Sequence, residues 1–177
     1  ISFYTKYNIA LNDTACVIVF FKRNDTLLGI VREVFFGSLM NYTHFTSAIT
    51  WINTGNPDTM AVIISCSNLD YAKIPGSTLY LDSIYFIGAT TPFPNGDFEN
   101  WSALSSEEPD NWTTLNFVTT GTPMVTKTTD FSNGFYALRL ENVMTIWGQM
   151  LGYFTNGVLG DNGPPEGGMA VSQNPQK

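Results

Sequence analysis

The chain has 177 residues, enough for one core that hides roughly 70% of its unfolded surface. Its formal charge is −7, and its eight Lys and Arg form no run longer than Lys22-Arg23, so no basic stripe exists for phosphates and nucleic-acid binding is disfavoured. Charged residues reach only 13% against 14% aromatics, a β-rich extracellular or cell-surface composition, and no apolar run approaches the roughly 20 residues of a membrane span.

In chain order, β-branched and aromatic runs predict strands at Ser2–Asn8, Thr14–Phe21, Leu27–Phe36, His44–Trp51, Thr59–Ser67 and Thr78–Ile87. Asn-Asp, Gly-Ser and Asn-Pro-Asp punctuation separates them at the intervals of an antiparallel sandwich. Cys16 and Cys66 each sit in such a run. Either they bridge, closing a loop of about 50 residues for roughly 4 kcal/mol on the chain-entropy model, or they are two separately buried thiols. The segment 89–94 carries Pro92 and Pro94 and reads as an extended linker, because proline withholds ladder donors. Beyond it, strand signals fall at Phe98–Trp101, Trp112–Phe117, Met124–Thr128, Phe135–Leu140 and between Ile146 and Leu159. Helical periodicity is absent throughout, so the expected class is an all-β antiparallel sandwich.

The inventory for catalysis is poor. His44 is the one histidine and stands in the strand-like run from Tyr42 to Thr46, without a nearby nucleophile motif. There is no phosphate loop and no zinc spacing, and Glu107-Glu108 reads as a solvated turn before Pro109. A non-enzymatic protein is expected. Sugar binding needs exposed aromatic platforms beside amide or carboxylate groups, for which Trp147, Tyr153, Trp112, Trp101 and Tyr42 are the candidates. The same residues equally suit a sandwich core.

Three stretches of the trailing portion, Asn95-Gly96-Asp97-Phe98-Glu99-Asn100-Trp101, Pro109-Asp110-Asn111-Trp112 and Gly134 to Leu140, resemble the opening of carbohydrate-binding-like jelly-roll modules of extracellular Bacteroidota proteins. Phe3 to Asn8, Asn56-Pro57-Asp58-Thr59, Ser65-Cys66-Ser67 and Gly76 to Asp82 are similar to the close of the same module, so the halves stand in rotated order. The resemblance implies a structural calcium held by Glu99 and Asp82 with Asp97 contributing; Ca²⁺ would also require backbone carbonyls to complete six to eight oxygens. It also implies O-glycosylation of Asp-Thr-aliphatic triplets at Thr14, Thr26 and Thr59.

On this reading residues 1–88 are the C-terminal half of a module, 89–94 the linker and 95–177 the N-terminal half. The halves are expected to complete one another within a circularly permuted chain, along a tandem array, or between chains that swap them. The leading expectation is a structural module of an extracellular filament or repetitive adhesin whose partners are further copies of itself, because an incomplete half exposes strand edges. The alternative is a carbohydrate-binding module that targets polysaccharide.

Overall fold

A computed structural model describes residues 1–68, 74–89, 92–103, 107–116, 122–145, 148–157 and 169–170. Among them the protein is all-β, with sixteen strands. The leading portion supplies β1 (Ser2–Asn8), β2 (Ala15–Arg23), β3 (Thr26–Phe35), β4 (Ser38–Thr46), β5 (Thr50–Trp51), β6 (Thr59–Ser65) and β7 (Thr78–Tyr85). The trailing portion supplies β8 (Trp101–Ala103), β9 (Glu107–Pro109), β10 (Thr113–Thr114), β11 (Val125–Thr128), β12 (Ala137–Glu141), β13 (Val143–Thr145), β14 (Gly148–Met150), β15 (Tyr153–Thr155) and β16 (Met169–Ala170).

The first sheet has the order β11-β12-β7-β1-β4, and the second runs β10-β15-β6-β2-β3-β5 with β16 also on β6. Two short ribbons, β8–β9 and β13–β14, complete the architecture. All pairings are antiparallel. Alternation along each strand aims one row at the core: Phe3, Leu79, Leu81, Leu138 and Leu140 from the first sheet meet Val17, Val19, Phe21, Val62, Ile64 and Phe154 from the second. The strands β2 and β6 are apolar on both faces, because a second cluster of Cys16, Ile18, Ile63 and Tyr153 lies on the outer side of their sheet.

Both sheets draw on both portions of the chain. In the first, Leu138 and Leu140 of β12 pair with Leu81 and Leu79 of β7; in the second, Phe154 of β15 pairs with Ile64 of β6. Within the 89–94 stretch read as a linker, Phe93 is buried and stacks on Trp112 with ring centroids 5.6 Å apart. Next to it, Ile84 N donates to Gly96 O at 2.8 Å, and a Cβ on Gly96 would lie 2.3 Å from Ile84 O. The junction is therefore packed against β7 rather than acting as a spacer.

Local geometry moves several predicted boundaries. The strand expected at His44–Trp51 begins instead at Ser38, and β5 belongs to the other sheet. Gly37, at φ 70°, turns the chain from β3 to β4, and the polar start of β4 reads as loop because an edge strand exposes much of both faces. Phe98 does not open a strand. It sits at φ 53° after Asn95 at φ 47°, in a turn closed by the Asn95 amide, which donates to Asn100 O and Asp110 O at 2.9 and 3.1 Å. Glu107-Glu108 lies in β9 rather than a solvated turn, with Glu107 on Lys127 at 2.6 Å and Glu108 accepting from Thr114 Oγ1 at 2.6 Å.

The cysteines do not bridge each other. Cys16 pairs in register with Ser65 and joins the outer cluster, whereas Cys66 enters the core. Neighbouring β positions point to opposite faces, so spacing along the sequence hid the fact that one sheet separates the two sulfurs.

Candidate functional site

The outer face of the first sheet carries a row of polar and aromatic side chains. On β1 the bulky inward residue is Phe3, while Tyr4 and Lys6 point the other way. Tyr80 on β7 and Tyr42 and His44 on β4 share that face, and Lys6 Nζ lies 4.5 Å from the Tyr80 ring centre and 5.2 Å from that of Tyr42. Lys6 forms an ion pair with Asp130, and Tyr42 Oη donates to Asp130 O at 2.6 Å. Burial, then the Asp82 and Asp130 carboxylates and the Tyr80 hydroxyl, push the Tyr42 hydroxyl well above the ordinary tyrosine range, so it acts as a donor.

Beside this cluster an open groove of about 320 Å³ is lined by Lys6, Asn8, Met40, Thr78, Tyr80 and Asp130 together with Tyr7 and Leu39. Further along β1 and β4, Tyr4 and His44 meet at 4.8 Å between ring centres. His44 also stacks on Tyr85 at 6.3 Å and 11°, with Nε2 3.1 Å from Tyr85 Oη. That is the environment of an exposed strand histidine, whose contacts are rings and the Tyr85 phenol.

Of the predicted sugar platforms among the described residues, Tyr42 alone reaches this face. Trp112 is 8% exposed and stacks on Phe154 at 4.2 Å. Tyr153 is 7% exposed and packs in the second cluster, where burial pushes its hydroxyl up to about 12. Trp101 is half-buried, with its indole N–H on Phe98 O at 2.5 Å. Trp147 lies outside the described residues. Trp112, just ahead of β10, and Tyr153, in β15, are thus packing residues of the two apolar clusters.

The residues proposed for calcium do not fit it. Asp82 Oδ2 accepts from Ser132 N and Asn133 N at 2.8 and 3.0 Å, and its Oδ1 from Ser83 Oγ at 3.1 Å. Glu99 Oε1 accepts from Phe135 N and Tyr136 N, both at 2.9 Å. Converging N–H groups repel a cation, and Ca²⁺ needs oxygens. Asp97 is exposed, and among the described residues no group of three His, Cys, Asp or Glu is placed to hold a metal. What the two carboxylates hold is the loop before β12. Gly134 is required there: it sits at φ 81°, and a Cβ would lie 2.3 Å from Glu99 Oε1.

The three threonines differ in access. Thr26 is exposed beside a hairpin turn. Thr14 is half-buried, and Asn68 Nδ2 donates to its hydroxyl at 3.3 Å. Thr59 is half-buried in β6 and donates to Asp58 Oδ1 at 3.0 Å.

Sequence reasoning missed the buried Asp13. Its carboxylate accepts from Thr14 N at 2.8 Å, from Ser67 Oγ at 2.8 Å on both oxygens, from Asn68 N at 3.2 Å and from Ser77 Oγ at 2.6 Å. Asp13-Thr14-Ala15 reads as a modification triplet, yet the acid ties three loop segments together. Asn142 is a second such tie: its Oδ1 accepts from Cys66 Sγ at 3.0 Å and Gly152 N at 3.2 Å, and its Nδ2 donates to Ile74 O at 2.9 Å. Clusters of Ser and Asn around apolar runs are the one sequence signal for such ties, and loops carry the same composition.

No family model, curated protein or solved structure matches this chain.

Proposed function

We propose that the chain is a non-enzymatic binding module of an extracellular or cell-surface protein that takes a neutral polysaccharide along the outer face of the first sheet. The supporting observation is the groove whose wall joins the Lys6–Asp130 ion pair to the Tyr80 ring, with Thr78 and Asn8 alongside. A pyranose presents C–H surfaces that suit phenol rings and hydroxyls that both donate and accept. The ion pair offers one of each partner while adding no net charge, which favours an uncharged ligand over an anion. Tyr4, His44 and Tyr85 extend the face for further sugar units.

Affinity electrophoresis through gels containing neutral glucans, galactans and xylans tests this reading. At least one gel should retard the protein, and Tyr80→Ala should abolish retardation with the near-ultraviolet circular dichroism band otherwise retained. No retardation on any gel, or retardation that Tyr80→Ala leaves intact, would refute it.

A structural module of a filament or repetitive adhesin is the second reading. In its support, β6 and β7 of the leading portion take β15 and β12 of the trailing portion as partners, the pairing expected if the chain is a jelly roll in rotated order. In that form the halves complete each other inside one chain, and copies meet at their surfaces without exchanging halves.

A further inference from the structure

The two flanks of the sandwich are finished differently. At one, the start of β11 is capped by a side chain: Asn116 Nδ2 donates to Val125 O at 2.7 Å, and Asn116 Oδ1 accepts from Met124 N and Val125 N at 2.8 and 3.0 Å. The ribbon strand β9 stands over the same edge through Glu107 on Lys127. At the other flank β4 ends the first sheet, and β3 ends the second except where the two residues of β5 pair with Gly29 and Ile30. These two edges lie on one side of the molecule, joined by the Phe36-Gly37 turn, by Ser47 Oγ on Glu33 at 2.6 Å and by Phe35 against Phe45 at 5.4 Å. Among the described residues neither β4 nor Val31–Phe35 has a strand beyond it.

Soluble proteins protect open edges with charges, prolines or bulges. β4 contains no Lys, Arg, Asp, Glu or Pro. Its register slips near Lys6, but Thr43–Thr46 runs regularly against Ser2–Thr5. The flank is also apolar, with Phe36 75%, Met40 72%, Ile52 54% and Val34 41% exposed. Residues 26–52, which build it, carry one charge of each sign, Arg32 and Glu33, in a chain of −7. On this side two copies can meet without opposing acidic surfaces.

We infer that the β3–β4 flank docks a second copy of this chain in a closed two-fold contact, antiparallel along Thr43–Thr46. The capped and overlain β11 edge favours one symmetry: a head-to-tail chain needs an open edge at both ends, whereas a two-fold contact uses the same patch twice. The contact uses strand edges rather than the sheet face and does not depend on the polysaccharide reading.

Sedimentation equilibrium from about 1 µM to about 1 mM, a span that covers weak self-association, should show one chain passing to two. Asn41→Lys with Thr43→Lys places charge on the edge and should hold the protein at one chain with its circular dichroism unchanged. Should that variant not fold, amide hydrogen exchange of the wild type provides the test, since Thr43–Thr46 should exchange more slowly as concentration rises. A mass of one chain throughout, growth beyond two chains, or exchange at Thr43–Thr46 independent of concentration would overturn the inference, as would a folded lysine variant that still pairs.

Discussion

Asp82 shows how one residue can couple the fold to pH. Burial raises its carboxyl above the usual carboxylate range, outweighing the N–H groups of Asn133 and Ser132 and the Ser83 hydroxyl that favour the charged form. A raised folded-state pKa means that this group's stabilisation is complete below the unfolded value of about 3.9 and is lost as pH rises through the folded value. Asp82→Asn removes the titration. The stability of the variant, measured by urea denaturation, should therefore fall less than that of the wild type between about pH 4 and pH 7, whatever constant difference the lost acceptor introduces. Asp82 and Glu99 stood out in the sequence, and both address the same loop. That they receive N–H groups rather than a cation was not legible, because an acidic residue type is the same in either role. Aromatics pose the same problem: Trp112 and Tyr42 look alike as platforms, and only the packing around each separates core from outer face.

Among the elements, the β2–β3 hairpin was plainest in the sequence. Nine residues of β2, apolar up to Phe21, run into Asn24-Asp25, and Arg23 pairs with Thr26 across that two-residue turn. Both turn residues have positive φ, 47° and 61°, the type I′ geometry that matches strand twist and favours Asn-Gly. Asp25→Gly relieves the left-handed cost at the second position, and thermal unfolding should register a gain of about 0.5–1 kcal/mol. The strand β4 was half hidden for a physical reason. Periodicity reports burial, and an edge strand with exposed Met40, Asn41 and Thr43 has little to report. Short strands such as β10 and β15 were legible only as apolar spots, since two or three residues cannot display a period.

At the scale of the molecule, the all-β class followed from composition and from the β-branched and aromatic runs. The packed junction at Phe93 did not, because a proline pair describes backbone and says nothing of the ring between the prolines. The deepest meeting of the two portions is at Cys66, whose thiol donates to Asn142 and lies so close to Gly152 that a Cβ there would be 2.9 Å from the sulfur. Burial pushes this thiol up to about 12, so at pH 8 it is neither ionised nor reachable. Alkylation of Cys66 by iodoacetamide should then become independent of reagent concentration at high reagent and proceed at the rate at which the whole molecule opens. Labelling at a rate proportional to reagent throughout would show that a smaller fluctuation suffices. The protein thus carries its own clock for the parting of its two sheets, with no probe added.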